Sequence, residues 1–246
     1  MDLGRALDLG DSAVVSFVGA GGKKTAMSRL VAERGSRSVV YTTTTKMPPP
    51  SLPLVLIDPD EVETIARTRH VPIALGWHSI DAPERVPVKI RGFDPSVLDR
   101  LADRNLFDWI LIKADGARGR ELTAPAGHEP AIPARSTIVV VTCSVAAIGQ
   151  AVGSQAIHRP EIVASLANVD LTDHVTPTVI ARVVSDPKGG LRNIPEAART
   201  VLLINKADTH DQRVLAEDIV TEVRSQTDRF DRALVTSFTT DRLSIM

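Results

Sequence analysis

The sequence predicts an α/β fold whose doubly wound, mostly parallel sheet carries helices on both faces. Eight short runs rich in Val, Ile and Leu alternate with helical patterns along the chain. The runs show no alternation with polar residues, which is typical of strands buried on both faces. Aromatic residues make up only 3% of the chain, so the core must consist of aliphatic side chains. Strand–helix alternation of this kind favours parallel strands joined by crossover helices.

The elements follow from these patterns. The predicted strands span residues 14–18, 39–41, 54–57, 71–75, 109–112, 137–141, 201–204 and 233–235. The predicted helices span residues 25–34, 60–68, 95–103, 159–166, 177–184 and 211–227. Proline-rich segments at 47–53 and 124–133 are predicted loops, because proline lacks an amide donor and fixes φ. We expect residues 1–246 to form one P-loop-like domain, with a small excursion from the sheet at 76–94.

Composition narrows the function classes. A formal net charge of -1 provides no general attraction for nucleic acid or anionic membranes. The one cysteine, Cys143, excludes an internal disulfide and a multi-cysteine zinc site. The apolar runs are far shorter than a membrane span. We therefore expect a cytoplasmic protein without a nucleic-acid or membrane partner.

A glycine-rich loop follows the first predicted strand and opens the first predicted helix. The expected nucleotide-binding residues of this loop are Gly19, Ala20, Gly21, Gly22, Lys23, Lys24 and Thr25. Its glycines let backbone N–H groups converge on phosphate, and Lys23 can reach the terminal phosphates. One alternative is a flexible turn. A dinucleotide-binding turn is the other, but its third glycine would fall on Lys24, and no acidic residue ends the second strand.

The loop departs from the common P-loop pattern at two positions. Phe17 stands where the first glycine of that pattern belongs, and Lys24 stands where a Ser or Thr normally holds Mg²⁺. Thr25 follows at once and can bind the ion if the register shifts by one residue. These departures predict weak Mg²⁺ dependence and slow hydrolysis.

A buried strand at 109–112 is followed by an acidic residue, Asp115. In P-loop proteins such an acid contacts Mg²⁺ directly or through water, whereas the alternative role is to cap a turn. Arg118 and Arg120 add positive charge nearby. We predict Lys23 and Asp115 as the catalytic pair, with Asp115 and Thr25 as metal ligands.

The segment Asn205-Lys206-Ala207-Asp208 follows the buried strand at 201–204 and matches the NKxD pattern of guanine-nucleotide-binding proteins. A carboxylate at Asp208 accepts from guanine N1–H and its exocyclic amine, a donor pair that adenine lacks. Lys206 would lie along the base, and Asn205 would hold the loop together. The alternative is a polar turn that caps the next helix. The sequence thus favours GTP over other nucleoside triphosphates.

Further polar residues lie where a substrate can bind, because ligands of open α/β sheets bind at the carboxyl ends of strands. The candidate substrate residues are Thr43, Thr44, Thr45, Lys46, His128, Glu129, His158 and Arg159. A His beside a Glu suits proton transfer or metal binding, although lone loop histidines are often structural. The threonine run is equally typical of an extended strand.

Together these strings resemble one family, the selenium-dependent molybdenum hydroxylase accessory proteins known as YqeC. The resemblance rests on VGAGGK, TTTTKM, ADGARGR, APAGHEPAIP, HRPE and NKAD, at residues 18–23, 42–47, 114–120, 124–133, 158–161 and 205–208. It implies a role in maturation of a selenium-containing molybdenum cofactor. The chain departs from the family pattern at Lys24, where Thr is usual, and at Lys113, where Glu is usual.

The leading hypothesis is a guanine-nucleotide-binding accessory protein in the maturation of a molybdenum cofactor or molybdenum hydroxylase. It would act as a slow NTPase or phosphoryl transferase, with a hydroxylase or a cofactor-maturation protein as its partner. A first alternative is a nucleotide-dependent switch or carrier with little turnover. A second is a P-loop small-molecule kinase unrelated to selenium.

Overall fold

The computed structural model describes residues 2–65, 72–82 and 85–246. The strands there are β1 (Ala13–Gly19), β2 (Val39–Thr43), β3 (Lys46–Met47), β4 (Leu54–Leu56), β5 (Ile73–Gly76), β6 (His78–Ala82), β7 (Arg85–Arg91), β8 (Trp109–Lys113), β9 (Leu122–Thr123), β10 (Ile138–Ser144), β11 (Ile157–His158), β12 (Arg199–Asn205), β13 (Arg232–Ser237) and β14 (Arg242–Ile245). The helices are α1 (Leu3–Ala6), α2 (Lys23–Glu33), α3 (Pro95–Asp103), α4 (Pro160–Ala167), α5 (Pro177–Ser185) and α6 (His210–Gln226).

A nine-stranded sheet forms the centre, in the order β14-β13-β12-β10-β1-β8-β2-β5-β4. Its neighbouring strands are parallel except at the β13–β14 edge, which is antiparallel. This confirms the predicted α/β fold with a mostly parallel sheet. Strand β1 lies between β8 and β10, so the loops that follow these three strands emerge side by side at one edge of the sheet.

Helices cover both faces, and the alternation of side chains along β1 shows how. Val15 and Phe17 point to the face covered by α1 and α2. Val14 and Val18 point to the opposite face, which is packed by α3 at one end and by α4, α5 and α6 at the other. Successive residues of a strand face opposite sides of the sheet. Because helices bury both sides here, apolar residues are favoured at every position of the strand, which gives a nearly unbroken aliphatic run.

Local signals fix where several helices begin. Asp94 caps α3 by accepting from the Ser96 amide, and Pro95 follows as its first residue. Thr209 and Gln212 form a reciprocal capping box at the start of α6. Both arrangements satisfy N–H groups that have no partner inside the helix. In the described part of the chain, no helix has the length and apolar character needed to cross a membrane.

The structure corrects one predicted helix and adds several short elements. Residues 60–65 do not begin a helix; they form one 3-10 turn, Val62–Thr64, and residues 66–68 lie outside the described ranges. Three β-branched residues in this segment disfavour a longer helix, because their side chains crowd the preceding turn. The expected excursion at 76–94 contains β6 and β7, and β7 pairs with both β6 and β3 in a separate antiparallel sheet. Pairs of two-residue strands, such as β9 with β11, carry no periodicity that a sequence could reveal.

Candidate functional site

The glycine-rich loop and the acid after β8 meet at the carboxyl edge of the sheet. Lys23, the first residue of α2, places its Nζ 2.7 Å from Asp115 Oδ1 and also donates to the Gly19 carbonyl. The Gly19 amide donates to Asp115 Oδ2 at 2.6 Å. Both side chains of the ion pair are about 95% buried, at 5% and 4% exposure. The sequence-predicted catalytic pair is therefore one buried contact, because β1 and β8 are adjacent parallel strands.

Two glycines of the loop are required by their neighbours. A Cβ on Gly21, whose φ is +78°, would lie 2.4 Å from the Cβ of Ser144 at the end of β10. A Cβ on Gly22 would lie 2.7 Å from Nδ2 of Asn205. The loop is therefore pressed against the ends of β10 and β12, an approach that only glycine permits.

The amides of the loop divide into two groups. Gly19, Ala20 and Gly21 donate to Asp115, Thr142 and Arg120 respectively, so these amides already have protein partners. The N-cap of α2 is instead Gly22, which has no side chain, so the first-turn amides of the helix receive no capping side-chain acceptor. The donors that a phosphate could use are consequently those at the start of α2, next to Lys23.

Lys24 and Thr25 do not join this contact. Both are exposed, neither is hydrogen-bonded to Asp115, and both border a second cavity of about 620 Å³ between α2 and the prolines at 48–50. The two Asp115 oxygens are engaged by Gly19 and Lys23. Among the described residues, no group of three His, Cys, Asp or Glu side chains could hold a metal ion. The Asp115–Thr25 metal site stays a prediction, and in this arrangement Asp115 contacts the Lys23 ammonium instead of Thr25.

The NKAD segment lies against the same loop. Asn205 Nδ2 donates to the Gly21 carbonyl at 2.8 Å, and its Oδ1 lies 3.2 Å from the Thr236 hydroxyl. Asp208 is half-buried and accepts from the Ser237 hydroxyl at 2.5 Å. Lys206 pairs with Glu121 at 2.6 Å, in the loop beyond β8. Asn205 thus connects the glycine-rich loop to β13, which agrees with the bridging role expected of it. The contacts of Asn205, Asp208 and Lys206 together hold the NKAD segment in place.

Lys113 stands behind the ion pair, at the end of β8. Its Nζ donates to Thr45 Oγ1 at 2.8 Å and to the Asp115 carbonyl, and its side chain is buried. Burial, with a further contribution from the nearby Lys23 charge, lowers the pKa of Lys113 from 10.5 to about 8. Sequence reasoning assigned Lys113 no role and noted only its departure from the family pattern.

The candidate substrate residues converge on a cavity of about 610 Å³ beside Asp115. Its walls are formed by Thr44, Thr45, Lys46, Gly116, Arg118, His128, Glu129, Ala131, His158 and Arg159. Gly116 directly follows Asp115, and Thr45 is bonded to Lys113, so the cavity adjoins the buried ion pair. Thr43 is the one expected substrate residue that does not line it. It is fully buried, and its hydroxyl donates to the Lys113 carbonyl at 2.7 Å, so it supports the wall from behind.

Glu129 and Arg159 form an ion pair in that wall. Arg159 pairs with Glu129 Oε2 at 2.6 Å and donates through its other terminal nitrogen to the Ala124 carbonyl at 3.0 Å. Glu129 also accepts from the Gly116 amide at 3.1 Å. His158 contacts the Thr123 hydroxyl at 3.1 Å, and burial, with the charges of Arg159 and Arg118, lowers its pKa. The neutral form of His158 is thereby favoured, whereas His128 is exposed.

Left-handed backbone marks the same region. Eight described non-glycine residues have positive φ, and five of them are Asn or Asp, the types that tolerate this conformation best. The other three are Arg118, Arg159 and Lys206. All three border the cavity or belong to the NKAD segment. Residues held in a sparsely populated conformation tend to cluster at functional sites, so this is an independent pointer to the same location.

Comparison with known proteins agrees with the motifs. The family model described as YqeC protein matches residues 15–161, which contain the glycine-rich loop, Asp115 and the whole cavity wall, but not the NKAD segment. A protein of Escherichia coli (strain K12) described as "Uncharacterized protein YqeC" is 32% identical over 212 residues, covering 84% of this chain and 81% of that protein. No solved structure matches. The chain belongs to the YqeC family.

Proposed function

We propose that this protein binds a guanine nucleotide and serves as an accessory protein in the maturation of a molybdenum cofactor or molybdenum hydroxylase. The observation that carries the nucleotide part is the joint placement of Lys23, Asp115 and Asn205 around one glycine-rich loop. Three separate stretches of sequence meet there, at the edge of the sheet where α/β proteins bind ligands. Family membership supports the accessory role.

Each part of the nucleotide has residues that suit it. The first-turn amides of α2 and the Lys23 ammonium fit the phosphates. Asp208 fits guanine, because a carboxylate only accepts, and each of its oxygens has two lone pairs. The bond from Ser237 therefore orients the carboxylate without using up its capacity. Asp115 is a poor ligand for Mg²⁺ in this arrangement, because Lys23 already neutralises its charge.

The buried ion pair also bears on turnover. For Lys23 to reach a phosphate, its contact with Asp115 must lengthen, and the freed carboxylate keeps the Gly19 amide as a partner. Binding is thereby coupled to a rearrangement between the start of α2 and the loop after β8, which suits a switch or carrier as well as a slow phosphoryl transferase. The adjacent cavity favours transfer to a small molecule, because it offers an acceptor site beside the loop.

Single-turnover reactions with labelled GTP and labelled ATP test this proposal. We expect GTP to bind and to turn over slowly, with Asp208→Asn reducing the preference for guanine, because an amide donates where the carboxylate only accepted. Stoichiometric GTP binding without any product would favour the switch. Equal affinity for GTP and ATP in the unmodified protein would contradict guanine recognition.

A further inference from the structure

We propose that the cavity beside Asp115 binds a small dianion of the phosphate-monoester type, with Arg118 and Lys46 as its charge partners. This inference rests on the proposed function in one respect, because it names the chemical class of the substrate that the cavity would take. The binding itself requires no nucleotide.

The first argument is the local charge. Three cationic side chains line the cavity, Lys46, Arg118 and Arg159, against one carboxylate, Glu129. Arg159 and Glu129 neutralise each other at 2.6 Å. Lys46 and Arg118 form no ion pair with any described residue. Two unmatched positive charges therefore border one cavity in a chain of net charge -1. A monoanion would leave one of them uncompensated, whereas a dianion matches both.

The second argument is the backbone that carries Arg118. Arg118 and Gly119 have φ values of +49° and +75°, in a turn closed by a 2.8 Å hydrogen bond from the Arg120 amide to the Ala117 carbonyl. Asn or Gly would adopt this turn with less strain than arginine. The guanidinium therefore stands on a conformationally costly turn at the rim of the cavity, where it forms no ion pair with a described residue. A planar guanidinium donates two parallel hydrogen bonds to phosphate oxygens, which explains the choice of side chain.

The third argument is a neutral donor, the hydroxyl of Thr44, a residue that lines the cavity. This hydroxyl is buried and makes no hydrogen bond with a described residue. Buried polar atoms normally have a partner, and rotation of the Thr44 side chain toward the cavity would supply one in a ligand oxygen. The cavity volume of about 610 Å³ suits a small molecule.

Calorimetric titration of inorganic phosphate into the full chain, at fixed ionic strength, tests the proposal. Arg118→Asn is the main variant, because Asn keeps the left-handed preference and loses the charge. Lys46→Gln removes the second cation. Arg224→Gln, on the exposed face of α6, is the matched control for a change of one charge. We expect phosphate affinity to fall about tenfold or more in Arg118→Asn and in Lys46→Gln, and to stay unchanged in Arg224→Gln.

Two further arms separate this site from the glycine-rich loop. Saturation with GDP should leave phosphate binding intact, and acetate should bind more weakly than phosphate. Phosphate binding that is blocked by GDP would assign the anion to the loop and overturn the proposal. Unchanged affinity in Arg118→Asn and Lys46→Gln, equal binding of acetate, or no phosphate binding at all would also overturn it. Failure of GTP to bind would contradict the proposed function and leave this result standing.

Discussion

Replacing the buried lysine at the end of β8 should change the stability of the protein in a pH-dependent way. Lys113 has a pKa of about 8 in the folded chain against 10.5 in the unfolded one. Between these values the unfolded chain holds a proton that the folded chain has lost, so stability rises with pH across this range. The cost of protonating the folded lysine is fully present below about pH 8 and amounts to about 3 kcal/mol at pH 7.

The Lys113→Met variant removes this cost and keeps an unbranched side chain. It also leaves Thr45 and the Asp115 carbonyl without their donor, a loss of about 1 kcal/mol for each bond. The net change at pH 7 is therefore small, and the informative quantity is its pH dependence. Since about 1 kcal/mol of the protonation cost remains at pH 10, the variant should lose about 2 kcal/mol relative to the parent between pH 7 and pH 10.

Urea unfolding of both proteins at pH 7 and pH 10, without ligand, measures this difference. The difference between the unfolding free energies of the two proteins cancels the titration of the groups that they share. A stability difference that does not change with pH would show that Lys113 is not strongly desolvated, and would refute the reasoning.

Two other changes follow from the loop. Gly22→Ala places a Cβ 2.7 Å from Asn205 Nδ2, so the Asn205 bond to Gly21 should break and stability should fall by about 1–3 kcal/mol in urea unfolding. Gly10→Ala, where the nearest atom is 3.9 Å away, is the control, and an equal effect of both would contradict the crowding. Lys24→Thr should strengthen the Mg²⁺ dependence of nucleotide affinity, and Asp115→Ala should matter more in that variant than in the parent. Strong Mg²⁺ dependence in the unmodified protein would instead point to Thr25 or a bound water as the ligand.

The sequence predicted the sheet well because its strands are continuous aliphatic runs buried on both faces. The strands at 14–18 and 201–204 lie inside observed strands, and α3 matches its predicted bounds of 95–103. The helix at 60–68 was wrong over its described part, because helical spacing of apolar residues does not outweigh β-branched side chains in a short segment. Strand order is set by packing and has no local signal, so the adjacency of β1 and β8 became visible only in the structure.

In the candidate site, too, residue types could be predicted from the sequence and contacts could not. Motifs pointed to Lys23, Asp115 and the cavity histidines, because residue type and position in the chain are enough to suggest their chemistry. They could not show that Asp115 is already neutralised, or that Thr43 is buried behind the cavity wall. Arg118 was noted only as a nearby charge. Gly116 and Gly119 stand on either side of Arg118 and mark a tight turn, and this is the sequence signal that could have pointed to it. The structure shows that Arg118 has a left-handed backbone in that turn.

The most direct test of the account is the affinity of the purified protein for GDP and for ADP, measured by calorimetry with Lys23→Ala and Lys24→Ala beside the parent. The account predicts clear GDP binding, much weaker ADP binding, loss of GDP binding in Lys23→Ala, and retention of most of it in Lys24→Ala. Circular dichroism at the titration temperature confirms that each variant is folded. Equal affinity for the two nucleotides, or greater damage from Lys24→Ala than from Lys23→Ala, would contradict the central claim.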